Sequence, residues 1–276
     1  MARKSKPSLE GYQRKLKNGY GIGCGLDYKP WIGMSDLPSN GVVSQPFGLK
    51  TNRTHLCLSN HENNFLHLAE FDSDVIDIRE QFPLFPIELA IRLSEELGIK
   101  YPLIPGTKTP NVITTDFLLT CKGSDNYLYK AYSVKPEDGL KTNRDFEKQE
   151  LERAWWESLG IQWQIYTDSE SDKIIAENIK WFSQPARNNI FFEVDILLRA
   201  IDAIEIGKRD ISVVIRVLAK ELNISEFEAS NLFKVLVWEK KIEVDLGILI
   251  EMYGVVDILK VSNTSKQREV CYGFGA

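Results

Sequence analysis

Two charged residues sit where charge is costly. Asp116 interrupts the apolar run "VITTDFLLT", and Lys135 closes the run "NYLYKAYSVK". Both runs read as strands, and a half-buried charge there must be paired or coordinated. If the runs form a hairpin turning through Gly123–Asn126, the middle of the first strand lies beside the far end of the second. Carboxylate and ammonium then come within reach of each other. One outcome is a cross-strand salt bridge, which contributes little at a surface. The other is a hydrolytic site. There an oxygen ligand holds Mg²⁺, while the lysine orients or deprotonates a water, or neutralises charge developing on phosphorus. On spacing alone the salt bridge is the commoner arrangement.

Other candidates are weighed the same way. Glu62 is the last residue of Ser59-x-x-Glu62, so a helix capping box accounts for it, although a carboxylate at that helix start can also reach the same pocket. Ser133, two residues before Lys135, offers only a hydroxyl. A metal would then lean on Asp116, Glu62 and a backbone carbonyl, most naturally that of Val134. Glu147, Glu150 and Glu152 fall on the next helix, where most acids are solvated and one can turn inward toward Lys135. Trp155 and Trp156 read as core or groove wall. His55, His61 and His67 lie within 13 residues. "HENNF" lacks the second histidine of HExxH, which disfavours a zinc protease and leaves scattered surface histidines as the expectation.

The elements that must position these residues follow from periodicity. "SNHENNFLHLAEFD" has helical spacing, "DVIDIREQFPL" is a strand ended by Pro83, and "PIELAIRLSEELGI" is a helix stopped by Gly98. The hairpin comes next, then the helix "NRDFEKQELERAWWESLG", the strand "IQWQIYTD" and the helix "KIIAENIKWF". This order implies a mixed sheet flanked by helices over residues 59–183. "QPARNN", residues 184–189, reads as a linker. Beyond it come three helical runs and the strand-like "KIEVDLGILIEMYG", with a capping box at Ser225-x-x-Glu228 and Ile224 set as a staple. Helix, turn, helix and hairpin over residues 184–276 form a winged-helix pattern. Residues 1–58 are loop-rich; their glycines lack the strand and helix of a dinucleotide fingerprint and suit an extended, draping segment.

Composition narrows the class. The chain has 276 residues, enough for one large or two ordinary domains. Cys24, Cys57, Cys121 and Cys271 form no CxxC pair, which argues against a zinc ribbon or disulfide framework and suits a reducing, cytoplasmic setting. No apolar run is long enough to span a membrane. The net charge of −5 is uneven: residues 1–60 carry nine basic and three acidic side chains, and the remainder sums to −11. The basic leader is either an arm on a polyanion or a mobile tail.

Together "LSNHENNFLHLAEFDSDVIDIREQFPL", "TTDFLL", "AYSVKP", "GYGIGCGLDYKPW" and "FEKQELERAWW…GIQWQIYTD" resemble the TnsA family, the endonuclease subunits of heteromeric transposases. The likeness is close over residues 10–183 and looser beyond. It implies a restriction-endonuclease-like domain followed by a mostly helical winged-helix domain. It also implies Mg²⁺-dependent nicking of the 5′ strands of transposon-end DNA, with Mn²⁺ able to substitute, while TnsB cuts and joins the 3′ ends and the regulator TnsC engages residues 184–276. Carried across, the catalytic set is Glu62, Asp116 and Lys135, the metal ligands are Glu62, Asp116 and the Val134 carbonyl, and Glu152 is the acid that orients the lysine. Ser133 departs from the family pattern and leaves a second ligand open. The alternative is a catalytically silent adaptor linking TnsB and TnsC to DNA.

Overall fold

A computed structural model of the chain describes residues 8–36, 42–250 and 254–262. It divides into two compact units, Met1–Ser169 and Glu170–Ala276.

In the first unit, Ser8 caps α1 (Leu9–Lys17) by accepting the Gly11 N–H. A short hairpin follows, β1 (Phe47–Gly48) with β2 (Arg53–Thr54). Ser59 caps α2 (Asn60–Phe71). Then come β3 (Val75–Pro83), α3 (Ile87–Glu96), β4 (Thr114–Lys122), β5 (Tyr127–Val134), α4 (Asn143–Ser158) and β6 (Gln162–Tyr166). The sheet runs β3-β4-β5-β6, antiparallel except for the parallel β5–β6 pair, so it is mixed as its element order implies. Alternation along β4 sends Phe117, Leu119 and Cys121 to one face and Leu118 to the other. The first face is sealed by Phe65, Leu66 and Ala69 of α2, with the Phe65 ring 4.9–5.0 Å from Phe117, Tyr132 and Tyr166. The second is sealed by Ala90 of α3 and by Trp155 and Trp156 of α4, so the tryptophan pair is core.

The leader differs from the expected loose arm. From Ser8 to Asp36 it includes a helix, and it buries Tyr12, Tyr28 and Trp31 in the body of the unit. The reason is aromatic: three large rings bury more apolar surface than a free tail can leave in water. Gly21 runs so close to β3 that a Cβ there would lie 2.3 Å from Pro83. Residues 1–7, which carry three of the leader's basic side chains, lie outside the described residues.

The second unit holds α5 (Glu170–Phe182), α6 (Gln184–Arg187), α7 (Val194–Ala203), β7 (Gly207–Asp210), α8 (Ile211–Leu222), α9 (Glu226–Trp238), β8 (Ile242–Val244) and β9 (Val255–Val261). Asn223 in the left-handed region ends α8, and the Ser225–Glu228 capping box starts α9. A three-stranded antiparallel sheet, β7-β9-β8, completes the unit. Two expectations shift here. The boundary falls before α5, because Phe182 is fully buried in this core. The expected linker at 184–189 is largely the short helix α6, and Pro at its start favours that helix. Of the strand-like run at 241–254 only Ile242–Val244 is strand, as β8; its partner β9 starts just after the run, and residues 251–253 lie outside the described residues. Among the described residues no helix is long and apolar enough to cross a membrane.

Candidate active site

Asp116 and Lys135 meet. The β4–β5 register pairs Phe117 with Tyr132, which carries the end of β5 past Asp116. Lys135 Nζ lies 2.7 Å from Asp116 Oδ2 and donates to the Val134 carbonyl at 3.1 Å. The same Asp116 oxygen accepts the Val134 N–H at 2.8 Å, with the Ser133 hydroxyl 3.4 Å away. Burial favours loss of the Lys135 proton, but the charge and hydrogen bond of Asp116, with Glu152 and Glu62 beyond, outweigh it and raise the pKa. The lysine therefore stays an ammonium at neutral pH. That suits charge neutralisation better than proton abstraction.

The capping box expected at Ser59–Glu62 is half formed, and the Glu62 carboxylate also feels the Asp116 charge. The Glu62 backbone N–H donates to Ser59 Oγ, while its carboxylate accepts the Leu58 N–H at 2.9 Å. The side chain is 6% exposed, and burial followed by the Asp116 charge pushes its pKa up to about 7. Glu152 turns inward from α4, accepting from Trp163 Nε1 at 3.0 Å; burial and then Asp116 push it up to about 7. Its neighbours stay at the surface, Glu147 with Arg144 and Glu150 with Arg153. Three carboxylates thus act on one ammonium. Among the described residues no three His, Cys, Asp or Glu side chains converge closely enough to hold one metal ion. Two carboxylates and a carbonyl do suit a hard cation that retains several waters. The Lys135 ammonium spans two of those oxygens, on Asp116 and Val134, as a cation would.

The histidines correct the surface expectation. His55 and His67 are buried. His55 bonds Glu80 and Thr51, and Arg53 grips both Glu80 oxygens at 2.7 and 2.6 Å. His61, next to Glu62, pairs through Nδ1 with the buried Asp168, which also accepts from Asn64 at 3.0 Å. Sequence reading also missed Gln81. Its side chain donates toward Glu62 at 3.4 Å and accepts from the Thr114 hydroxyl at 3.2 Å. Only its place between Glu80 and Pro83, at the end of a strand, marks it in the sequence.

A mixed sheet that gathers two carboxylates, a carbonyl oxygen and an ammonium at one edge has the donor set of a phosphodiester-cleaving nuclease. Residues 72–168 match the family model described as TnsA-like endonuclease N terminal; they include Asp116, Lys135 and Glu152, while Glu62 lies just before them. Over 168 residues the chain is 40% identical to the transposon Tn7 transposition protein TnsA of Escherichia coli. That alignment spans 61% of this chain and 60% of the relative. Residues 72–168 are thus similar to a TnsA-like N-terminal endonuclease domain, and the chain spans less than two thirds of the length of that relative.

Proposed function

We propose that the first unit is a Mg²⁺-dependent DNA endonuclease that nicks the 5′ strands at transposon ends, acting with TnsB. The observation that carries this reading is the Asp116–Lys135–Val134 cluster facing Glu62 across the sheet edge. Glu62, Asp116 and the Val134 carbonyl would hold the metal, which when bound supplies a Lewis acid for the phosphate and a more acidic water. Lys135 offsets negative charge building on the phosphate oxygens. Glu152, held by Trp163, keeps the lysine charged and directed. Mn²⁺ has the ligand preference to replace Mg²⁺ here.

The test is a strand-resolved cleavage assay on transposon-end DNA with the full chain and TnsB. Asp116→Ala or Lys135→Ala is expected to abolish 5′ nicking and leave 3′ joining, so that products remain cointegrates. Simple insertions at the parental level from either variant would refute the assignment.

The second unit reads as a winged-helix domain that binds the regulator TnsC rather than DNA. In that reading α9 is the recognition helix, yet Ala229–Val237 are all buried. Its Lys234 donates to Gln184 and lies 4.3 Å from the Trp181 ring centroid, so it is not presented to a phosphate. Residues 190–276 hold eleven basic and fourteen acidic side chains, which repels a polyanion on average.

A further inference from the structure

We infer that Gln81 is a positioning residue that fixes the Glu62 carboxylate for cation binding. This rests on the metal-site reading above and deepens it.

Four observations converge on Gln81. It is 2% exposed, yet its backbone has φ +48°, the left-handed region that costs a non-glycine side chain about 1 kcal/mol or more. The register pairs Glu80 with Phe117 and Phe82 with Thr115, so Gln81 stands opposite Asp116. Its amide bridges two strands and the helix: Nε2–H points at Glu62 Oε2, while Oε1 accepts from Thr114. The ionised carboxylate, which only accepts, selects the amide's NH₂ end, and the Thr114 hydroxyl then donates to Oε1. The backbone is held from outside the sheet, because the Trp31 N–H of the leader donates to the Gln81 carbonyl at 3.2 Å and Arg53 and His55 clamp Glu80 beside it. A strained conformation persists only where its surroundings over-determine it, and here they aim one amide at one carboxylate.

The chemical consequence is specific. Oε2 takes both the Leu58 and Gln81 donors, whereas Oε1 takes a single bond, from the Ser59 hydroxyl at 3.3 Å, and is the Glu62 oxygen with more capacity left to meet a cation beside Asp116. Removing an outer hydrogen bond of this kind typically weakens metal affinity 10–100-fold.

The experiment measures Mn²⁺ affinity of the full chain by calorimetry, with thermal unfolding in parallel. Gln81→Gly accepts positive φ without strain but deletes the whole buried side chain, so thermal unfolding reads the stability cost separately from the change in metal binding. The variant's Mn²⁺ dissociation constant should rise about tenfold, and 5′ nicking with TnsB should recover when Mn²⁺ is raised. Thr114→Val, which leaves the backbone alone and frees the amide to turn, should shift the constant in the same direction. Mn²⁺ affinity unchanged in both variants while Asp116→Ala abolishes binding overturns the role of Gln81 and leaves the metal site standing. Equal binding by the parent and Asp116→Ala overturns the site itself, and this inference with it.

Discussion

Glu62 shows how one side chain carries a structural and a chemical load at opposite signs. Its hydrogen bonds to Leu58 and Ser59 start α2, but burial and the Asp116 charge disfavour its ionised form. A carboxyl raised from 4.5 to about 7 binds its proton more tightly folded than unfolded. The fold therefore loses stability as pH rises from about 4.5 to about 7, by on the order of 2–3 kcal/mol in the absence of metal. Glu62→Gln removes that cost and keeps a carbonyl oxygen for the Leu58 N–H. It should melt several degrees higher than the parent at pH 8 in chelator, with the gain vanishing near pH 4.5. An unchanged or lower melting temperature at pH 8 would mean that the carboxylate is not held against its charge. Saturating Mg²⁺ should reverse the order, since only the parent gains binding energy.

At the scale of elements, β3 and the leader form one device. Arg53 and His55 hold Glu80 from the β1–β2 hairpin side, and Gly21 and Trp31 press on Gln81–Pro83. Burial alone would raise the Glu80 pKa, but the bonds and charges of His55 and Arg53 outweigh it and take it down to about 2. Such a depressed carboxyl stabilises the fold fully above about 4.5 and progressively less as pH falls toward about 2. Glu80→Gln should cost about 3–5 kcal/mol in urea unfolding at pH 7, where it strands a buried guanidinium, and much less near pH 3. Gly21→Ala should be destabilising too, because φ is +73° and Pro83 occupies the space. Much of this level was legible in the sequence. Helix and strand periods, the Ser59 cap, the β4–β5 hairpin and the glycine stops at 98 and 160 all appear where local pattern puts them. The packed leader, the buried His55 and Gln81 did not show. Each depends on contacts between residues 19 or more apart, and a single polar side chain carries no period that reports its partner.

At the scale of the whole molecule, the decisive feature is where one folding unit ends. The pattern "KIIAENIKWF" is helical, but nothing in its spacing says which core it joins. The structure assigns α5 to the second unit through two kinds of contact. Phe182 is fully buried, with its ring 6.2 Å from Phe233. Asn178, 1% exposed, donates to the Leu246 and Ile248 carbonyls at 2.8 Å each and accepts the Ile250 N–H at 2.9 Å, closing the chain beyond β8. A fragment beginning at residue 184 loses the aromatic ring, worth about 3–5 kcal/mol, and leaves three backbone groups without their partner at about 1–3 kcal/mol each. That total rivals the stability of a small domain. Residues 170–276 should therefore unfold in one cooperative urea transition, whereas residues 184–276 should show no folded baseline. Asn178→Ala in the longer fragment should fall between them. TnsC retention, the activity proposed for this unit, should accordingly be seen with 170–276 and be absent from 184–276. A cooperative transition of equal midpoint in both fragments would show that α5 is dispensable and that the unit begins where the sequence alone suggested.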